Sequence, residues 1–141
     1  MGKKGVKVLF ICTGNSCRSQ IAEGLLRSMA EDQYKVFSAG SHPSRVNPMA
    51  IETMKEVGID ISYHTSDPID DYLNRGIDVV ITVCDSAKQI CPVFPGNAIH
   101  IHWRIEDPFQ GWTFEKSQLD SFRDTREVIK KKIGDFIQKG H

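Results

Sequence analysis

The sequence predicts an α/β protein, a single domain built on a parallel four-stranded sheet flanked by helices. Three observations carry this. Val6 to Ile11 (VKVLFI) is an apolar run that passes through a short polar stretch into an amphipathic one. Ile77 to Val83 (IDVVITV) is β-branched and nearly all apolar, the pattern of a strand covered on both faces. Strand-like and helix-like segments then alternate along all 141 residues, without repeat, low-complexity tract or linker.

Taken in order, Val6 to Ile11 reads as a buried strand and Ser19 to Ala30 as a helix with Ile21, Ala22, Leu25, Leu26 and Met29 on one face. Lys35 to Ala39 is a second strand, which closes a βαβ unit. Asn47-Pro48 starts a helix, because Asn caps and Pro suits the first helical position. Ala50, Ile51, Met54 and Val57 form its inner face, and Gly58 ends it. A short helix is expected over Asp70 to Asn74, then the strand Ile77 to Val83 and a fourth strand, Ala98 to Trp103. A long helix from about Ser117 to Lys139 turns Leu119, Phe122, Ile129, Ile133 and Phe136 inward. Gly134 weakens it by roughly 1 kcal/mol relative to Ala. The arrangement is of flavodoxin-like type, in which ligands sit at the carboxyl ends of the strands.

Composition removes several classes of function. Lys plus Arg and Asp plus Glu both number 18, so neither nucleic acid nor an anionic membrane surface is an expected partner. No apolar run is long enough to span a bilayer. Lys7 interrupts the N-terminal apolar run, which makes a poor signal peptide, and Val6 spoils a myristoylation pattern at Gly2. A cytoplasmic monomer is expected. In that compartment four cysteines point to catalysis, redox or metal rather than to structural bridges.

The stretch ICTGNSCRS, residues 11 to 19, falls where the first strand gives way to the first helix. Its pattern is Cys, five residues, Arg, Ser. A loop entering a helix N-terminus presents backbone N–H groups that suit a tetrahedral oxyanion. Thr13, Gly14, Asn15, Ser16, Cys17, Arg18 and Ser19 would line it. Gly14 lets the backbone curl, Arg18 can clamp two oxygens, and Ser19 can donate a hydrogen bond to a thiolate. Cys12 then sits at the base of an anion cradle, the setting in which a thiol becomes a nucleophile. The plainer alternative is an inert buried cysteine followed by a surface arginine.

On these residues the chain resembles the low-molecular-weight protein tyrosine phosphatases, whose phosphate loop C-T-G-N-S-C-R-S looks like. That resemblance implies the low-molecular-weight phosphatase fold. It also implies a general acid in an Asp-Pro late in the chain, which Asp107-Pro108 matches after the last expected strand.

A plain phosphatase needs only Cys12, Arg18 and Asp107. The segment VCDSAKQICP adds Cys84, directly after the strand Ile77 to Val83, and Cys91. Cys-x6-Cys is not a usual zinc spacing, which favours thiol exchange over a metal. If residues 84 to 91 were helical the two would lie about 10.5 Å apart along the axis. A disulfide needs Cα atoms within about 7 Å, so pairing them requires the segment to unwind or loop out. Pro92 and Pro95-Gly96 permit that. On residues alone, two unrelated thiols remain the alternative.

With this pair the resemblance narrows to the thioredoxin-coupled arsenate reductases. It covers almost the entire chain: CTGNSCRSQIAEG, FSAG, VNPMAIETMKEVGIDIS, HTSD, the VC…CP segment and HWRIEDP. The resemblance implies a mechanism. Cys12 attacks arsenate held by the loop and Arg18, and Asp107 assists departure of oxygen. Cys84 attacks Cys12 and releases arsenite. Cys91 attacks Cys84, leaving a Cys84–Cys91 disulfide for thioredoxin to reduce. No cofactor is required, although some members hold a potassium ion behind the loop. The matching residues are Asn15, Glu23, Ser38 and Thr65, with His64 adjacent. Cys17 has no redox step and reads as a small packing residue.

Other features are given plainer readings. His100 and His102 share one face of a strand as solvated or packed residues. Trp103 and Trp112 pack near the site, and Lys130 to Lys132 form a solvated helix face. Two rival functions stand beside the reductase. Phe109 lies where the phosphatases carry an aromatic residue to grip the substrate ring, and Trp103 stands further from the C-terminal helix than in the reductases. Both favour a small phosphatase with accessory thiols. The other rival, a non-catalytic oxyanion or redox sensor, has no need of a general acid.

Overall fold

The computed structural model describes residues 5–84 and 94–139. Their order is β1 (Val6–Cys12), α1 (Arg18–Ala30), β2 (Tyr34–Gly40), α2 (Pro48–Lys55), β3 (Val79–Cys84), β4 (Ile99–Arg104) and α3 (Leu119–Lys139). Short 3-10 turns lie at Ile69–Tyr72 and Lys116–Gln118. The α/β class and the four-stranded parallel sheet agree with the sequence reading.

The sheet runs β2-β1-β3-β4, with every pairing parallel. The chain leaves β1 for β2 on one side and returns to β3 on the other. The carboxyl ends of β1 and β3 therefore flank the point where strand order reverses, and there the connections splay apart to leave a crevice. Cys12 ends β1 and Cys84 ends β3, on neighbouring strands at that edge.

Side chains alternate across the strands and divide the core in two. Val8, Phe10, Val79, Ile81 and Val83 face the helices and join Ile21, Leu26, Met54, Phe122, Ile129 and Ile133 in the larger cluster. Leu9, Ile11, Ala39 and Val80 face the other way, against Tyr72 and Phe94. The three helices thus pack on one face.

Two helix faces differ from expectation. Met29 and Val57 are each 42% exposed, whereas Met49, expected on neither face, is buried beside Met54. Periodicity fixes the spacing of an apolar stripe and leaves its edges to the neighbouring helix. Asn47 does cap α2, its side chain accepting from the Met49 N–H with Pro48 in the first turn. The short helix expected over Asp70 to Asn74 is a 3-10 turn at Ile69–Tyr72, and the C-terminal α-helix begins at Leu119. Among the described residues no helix is long and apolar enough to cross a membrane.

Candidate active site

The loop between β1 and α1 is shaped by its carbonyls. Those of Thr13 and Ser16 accept from the backbone N–H groups of His42 and Asn47. That of Gly14 accepts from Ser44 N–H and from the Ser44 and Ser66 hydroxyls. That of Asn15 accepts from the Gln20 side chain at 2.9 Å. In a planar trans peptide the C=O and the next N–H point in opposite directions. Four consecutive carbonyls bonded to the segments that wrap the loop therefore turn the N–H groups of Gly14 to Cys17 the other way, into the concavity. Asn15 takes a left-handed φ of 46°, the kink that lets successive N–H groups converge on one anion. Gly40, at the end of β2, makes room for this curl. A Cβ there would stand 2.6 Å from the Thr13 carbonyl oxygen and 2.9 Å from the Asn15 nitrogen.

Behind the loop runs a line of buried polar side chains. The Asn15 amide is oriented by the Asp67 N–H, which donates to Asn15 Oδ1 at 2.8 Å. Its Nδ2 therefore faces inward and donates to Ser19 Oγ at 2.8 Å and to Ser38 Oγ at 2.9 Å. Ser38 donates in turn to Glu23 Oε1 at 2.6 Å. At the front, Ser19 Oγ lies 2.9 Å from the buried Cys12 sulfur. Ser19 receives the Asn15 amide, so its own proton is placed to be shared with the sulfur.

Arg18 is buried at the first position of α1, where Nη1 donates to the Ile105 carbonyl at 2.9 Å. Its Nη2 lies 3.4 Å from Asp107 Oδ2. Asp107 is 41% exposed, and its other oxygen accepts from the Phe109 N–H at 3.0 Å. Cys12, Arg18 and Asp107, 95 residues apart at the extremes, meet around a cavity of about 200 Å³ with Thr13, Gly14, Ser16 and Cys17. Phe109 and Trp112 form its aromatic rim in edge-to-face contact, and Arg45 stacks on Trp112.

The cysteines differ in state. Cys12 and Cys17 are free thiols, and Cys84 is disulfide-bonded. Burial pushes the Cys17 thiol far above the usual range, against the opposing hydrogen bond of Ser16. It packs in the larger core cluster as a neutral group. Cys91, and residues 85–93 of the 85 to 97 segment expected to loosen when Cys84 and Cys91 pair, lie outside the described residues.

Of the residues matched to a potassium site, Asn15, Ser38 and Glu23 stand in one hydrogen-bonded line. Thr65 turns its hydroxyl to Asp67 and its carbonyl accepts from Gln20. The Glu23 carboxylate already pairs with Arg27, one turn along α1. With each oxygen committed to a protein partner, the set fits a cation poorly as arranged. His64 joins this network. Gln20 Nε2 donates to two carbonyls, which leaves Gln20 Oε1 to accept from His64 Nδ1 at 2.9 Å. His64 Nε2 then accepts from Arg27 Nη1 at 3.0 Å. Burial, aided by Arg27 and opposed by Glu23, lowers the His64 pKa, consistent with this neutral tautomer.

Gln20, Arg27, Gly40 and Asp67 all shape the site, and sequence reasoning assigned none of them. The fragments QIAEG, FSAG and HTSD contain Gln20, Gly40 and Asp67, and Arg27 follows the first by three residues, but nothing local says what each touches. His100 and His102 are exposed on β4, away from the loop. Among the described residues no group of three or more His, Cys, Asp or Glu could hold a metal ion.

Comparison with known proteins places this geometry. The model of the low molecular weight phosphotyrosine protein phosphatases matches residues 7–139. An arsenate reductase of Halalkalibacterium halodurans is 43% identical over 133 residues, 94% of this chain and 96% of the relative. A solved arsenate reductase in a phosphate-binding state superposes with a TM-score of 0.79 at 39% identity, covering 96% of this chain and 98% of that one. A thioredoxin-dependent arsenate reductase of Corynebacterium glutamicum superposes at 0.73 with 30% identity, over 99% of this chain and 64% of that one. The chain belongs to the low-molecular-weight phosphotyrosine protein phosphatase family.

Proposed function

We propose that this protein reduces arsenate to arsenite through a relay of three cysteines regenerated by thioredoxin, serving arsenic detoxification. The observation that carries the reading is that two cysteines, Cys12 and Cys84, end adjacent parallel strands beside an oxyanion cradle. A phosphatase has use for the first alone. The similarity to arsenate reductases over nearly the entire chain supports the same reading.

Arsenate enters the loop as a dianion, held by the inward N–H groups and by the Arg18 guanidinium. The Cys12 thiolate attacks arsenic while Asp107 gives a proton to the departing oxygen, which leaves as water. The Cys84 thiolate then attacks the Cys12 sulfur. An S–S bond forms, the S–As bond breaks, and its electron pair stays on arsenic, which falls from As(V) to As(III) and departs as arsenite. Cys91 next attacks the Cys84 sulfur and frees the Cys12 thiolate. The two electrons given to arsenic are now represented by a Cys84–Cys91 disulfide, which thioredoxin returns to two thiols. Cys12 is free and Cys84 disulfide-bonded, which supports a relay that passes oxidation on from Cys12. The thioredoxin-dependent neighbour supports the choice of donor.

The same cradle, with Asp107 as acid and the Phe109–Trp112 rim, suits hydrolysis of an aryl phosphate as a second activity through a Cys12 phosphoenzyme. NADPH oxidation with thioredoxin and thioredoxin reductase separates the two. Arsenate-dependent consumption supports the reductase. Phosphate-ester hydrolysis without any arsenate-dependent consumption leaves the phosphatase.

A further inference from the structure

The Glu23 carboxylate is a buried anion behind the nucleophile loop, with its side chain 11% exposed. A buried charge needs a counter-charge. A metal ion could supply one, but the structure places a side chain there. Arg27 lies one helical turn from Glu23 and pairs with it through Nη2, which also donates to the Val36 carbonyl at 2.7 Å. Its Nη1 donates to His64 at 3.0 Å. The guanidinium, on a side chain 31% exposed, is thus held by acceptors from three parts of the chain, the Tyr63 hydroxyl at 3.5 Å among them, and stands as a fixed fork at the edge of the interior. Burial works against its charge, and Glu23 outweighs that, so the net shift of its pKa is upward.

We propose that Arg27 is a built-in cation for the nucleophile loop. It occupies the place at Glu23 that a potassium ion would otherwise take, and so makes the site independent of monovalent metal. Its effect reaches Cys12 along the side-chain line already described. With Arg27 on one side, Glu23 accepts from Ser38. Ser38 then receives the Asn15 amide, whose second N–H goes to Ser19 beside the sulfur. Arg27 touches neither substrate nor sulfur and is a positioning residue.

The inference rests on Cys12 being the loop's nucleophile, and its test is read from thiol reactivity, so failure of arsenate turnover would not be mistaken for failure here. Site-resolved alkylation of Cys12 by iodoacetamide at neutral pH, and its protection by inorganic phosphate, are compared in potassium chloride and in choline chloride of equal ionic strength. The wild-type protein should show the same rate and protection in both salts. Arg27→Ala should slow alkylation about tenfold in choline, the scale of one charge-assisted hydrogen bond, and recover in potassium. Arg27→Lys should stay near wild type in both. Stimulation of the wild-type protein by potassium would overturn the proposal. So would an Arg27→Ala protein that matches wild type in choline, or one slowed equally in both salts, which marks a merely structural arginine. If Arg27→Ala does not fold, the wild-type and Arg27→Lys measurements decide alone: potassium dependence in either refutes the proposal, and its absence in both supports it.

Discussion

Helix α3 buries Leu119, Phe122, Ile129, Ile133 and Phe136, with Thr125 as a polar exception. Helix α1 buries Arg18, Ser19, Gln20 and Glu23 beside its apolar residues. In α3, burial follows hydrophobicity, and its worth is the transfer of apolar surface from water. In α1, burial follows chemistry, and each polar group inside carries the cost of desolvation unless it is bonded. The structure meets that cost with the Arg27–Glu23 pair, the Gln20 fork and the line from Glu23 to Cys12. Two helices on the same face of the same sheet therefore have different duties. Substitutions in the first turns of α1 and its loop should remove activity from a folded protein. Substitutions in α3 should remove stability from a protein whose site chemistry is unchanged.

The sharpest way to break that division is Cys12→Ser. It should abolish both arsenate reduction and aryl phosphate hydrolysis, since both begin from the same sulfur, while leaving thermal unfolding nearly unchanged. Retained turnover in a coupled assay would remove Cys12 from the chemistry. Next, Asp107→Asn should slow phosphate-ester hydrolysis by roughly 100- to 10,000-fold, the range for loss of a general acid, with circular dichroism as the control for folding.

On the other side of the comparison, Phe122→Ala should cost about 3–5 kcal/mol in urea unfolding. The ring is fully buried between sheet and helices, and the folded fraction should keep its Cys12 reactivity. A large loss of reactivity per folded molecule would mean that the two helices are coupled. The smallest effect belongs to the surface tie between α2 and α3. Hydrogen bonds from Arg123, opposed by desolvation and joined by those from Arg126, lower the Glu56 pKa to about 2. A carboxylate depressed on folding stabilises above its unfolded value of 4.5, and the contribution fades as pH falls toward 2. Glu56 is 33% exposed, so screening reduces it to about 0.2–1 kcal/mol. Glu56→Gln should flatten the stability profile between those pH values by that amount and change nothing at the site.

The same contrast decides what could be read from sequence. All five residues expected to turn inward on α3 do so, because their spacing repeats over nearly five turns and mostly polar residues fill the rest. The stripe of α1 was legible only in part. Ile21, Ala22, Leu25 and Leu26 are buried as expected, but Met29 at its edge is exposed. Glu23 is buried by a pairing that no hydrophobic pattern records. In the site, Cys12 to Ser19 stood out as one contiguous stretch, and Asp107 through its Pro108 neighbour. Gln20, Gly40 and Asp67 did not, because their importance lies in contacts across the fold. Gln20 reaches Thr65, and Asp67 reaches Asn15, over 45 and 52 residues. Gly40 matters for an atom it lacks, in the space under the Thr13 carbonyl.

The relay itself is tested most directly by a single turnover. The reduced protein is mixed with one equivalent of arsenate without any external reductant, and the disulfides are mapped by peptide mass together with the arsenite released. The relay requires one arsenite per chain, a Cys84–Cys91 disulfide in the wild-type protein, and a trapped Cys12–Cys84 disulfide in Cys91→Ala. Arsenite released from a chain whose Cys84 remains a thiol, or a disulfide that engages Cys17 instead, would contradict it.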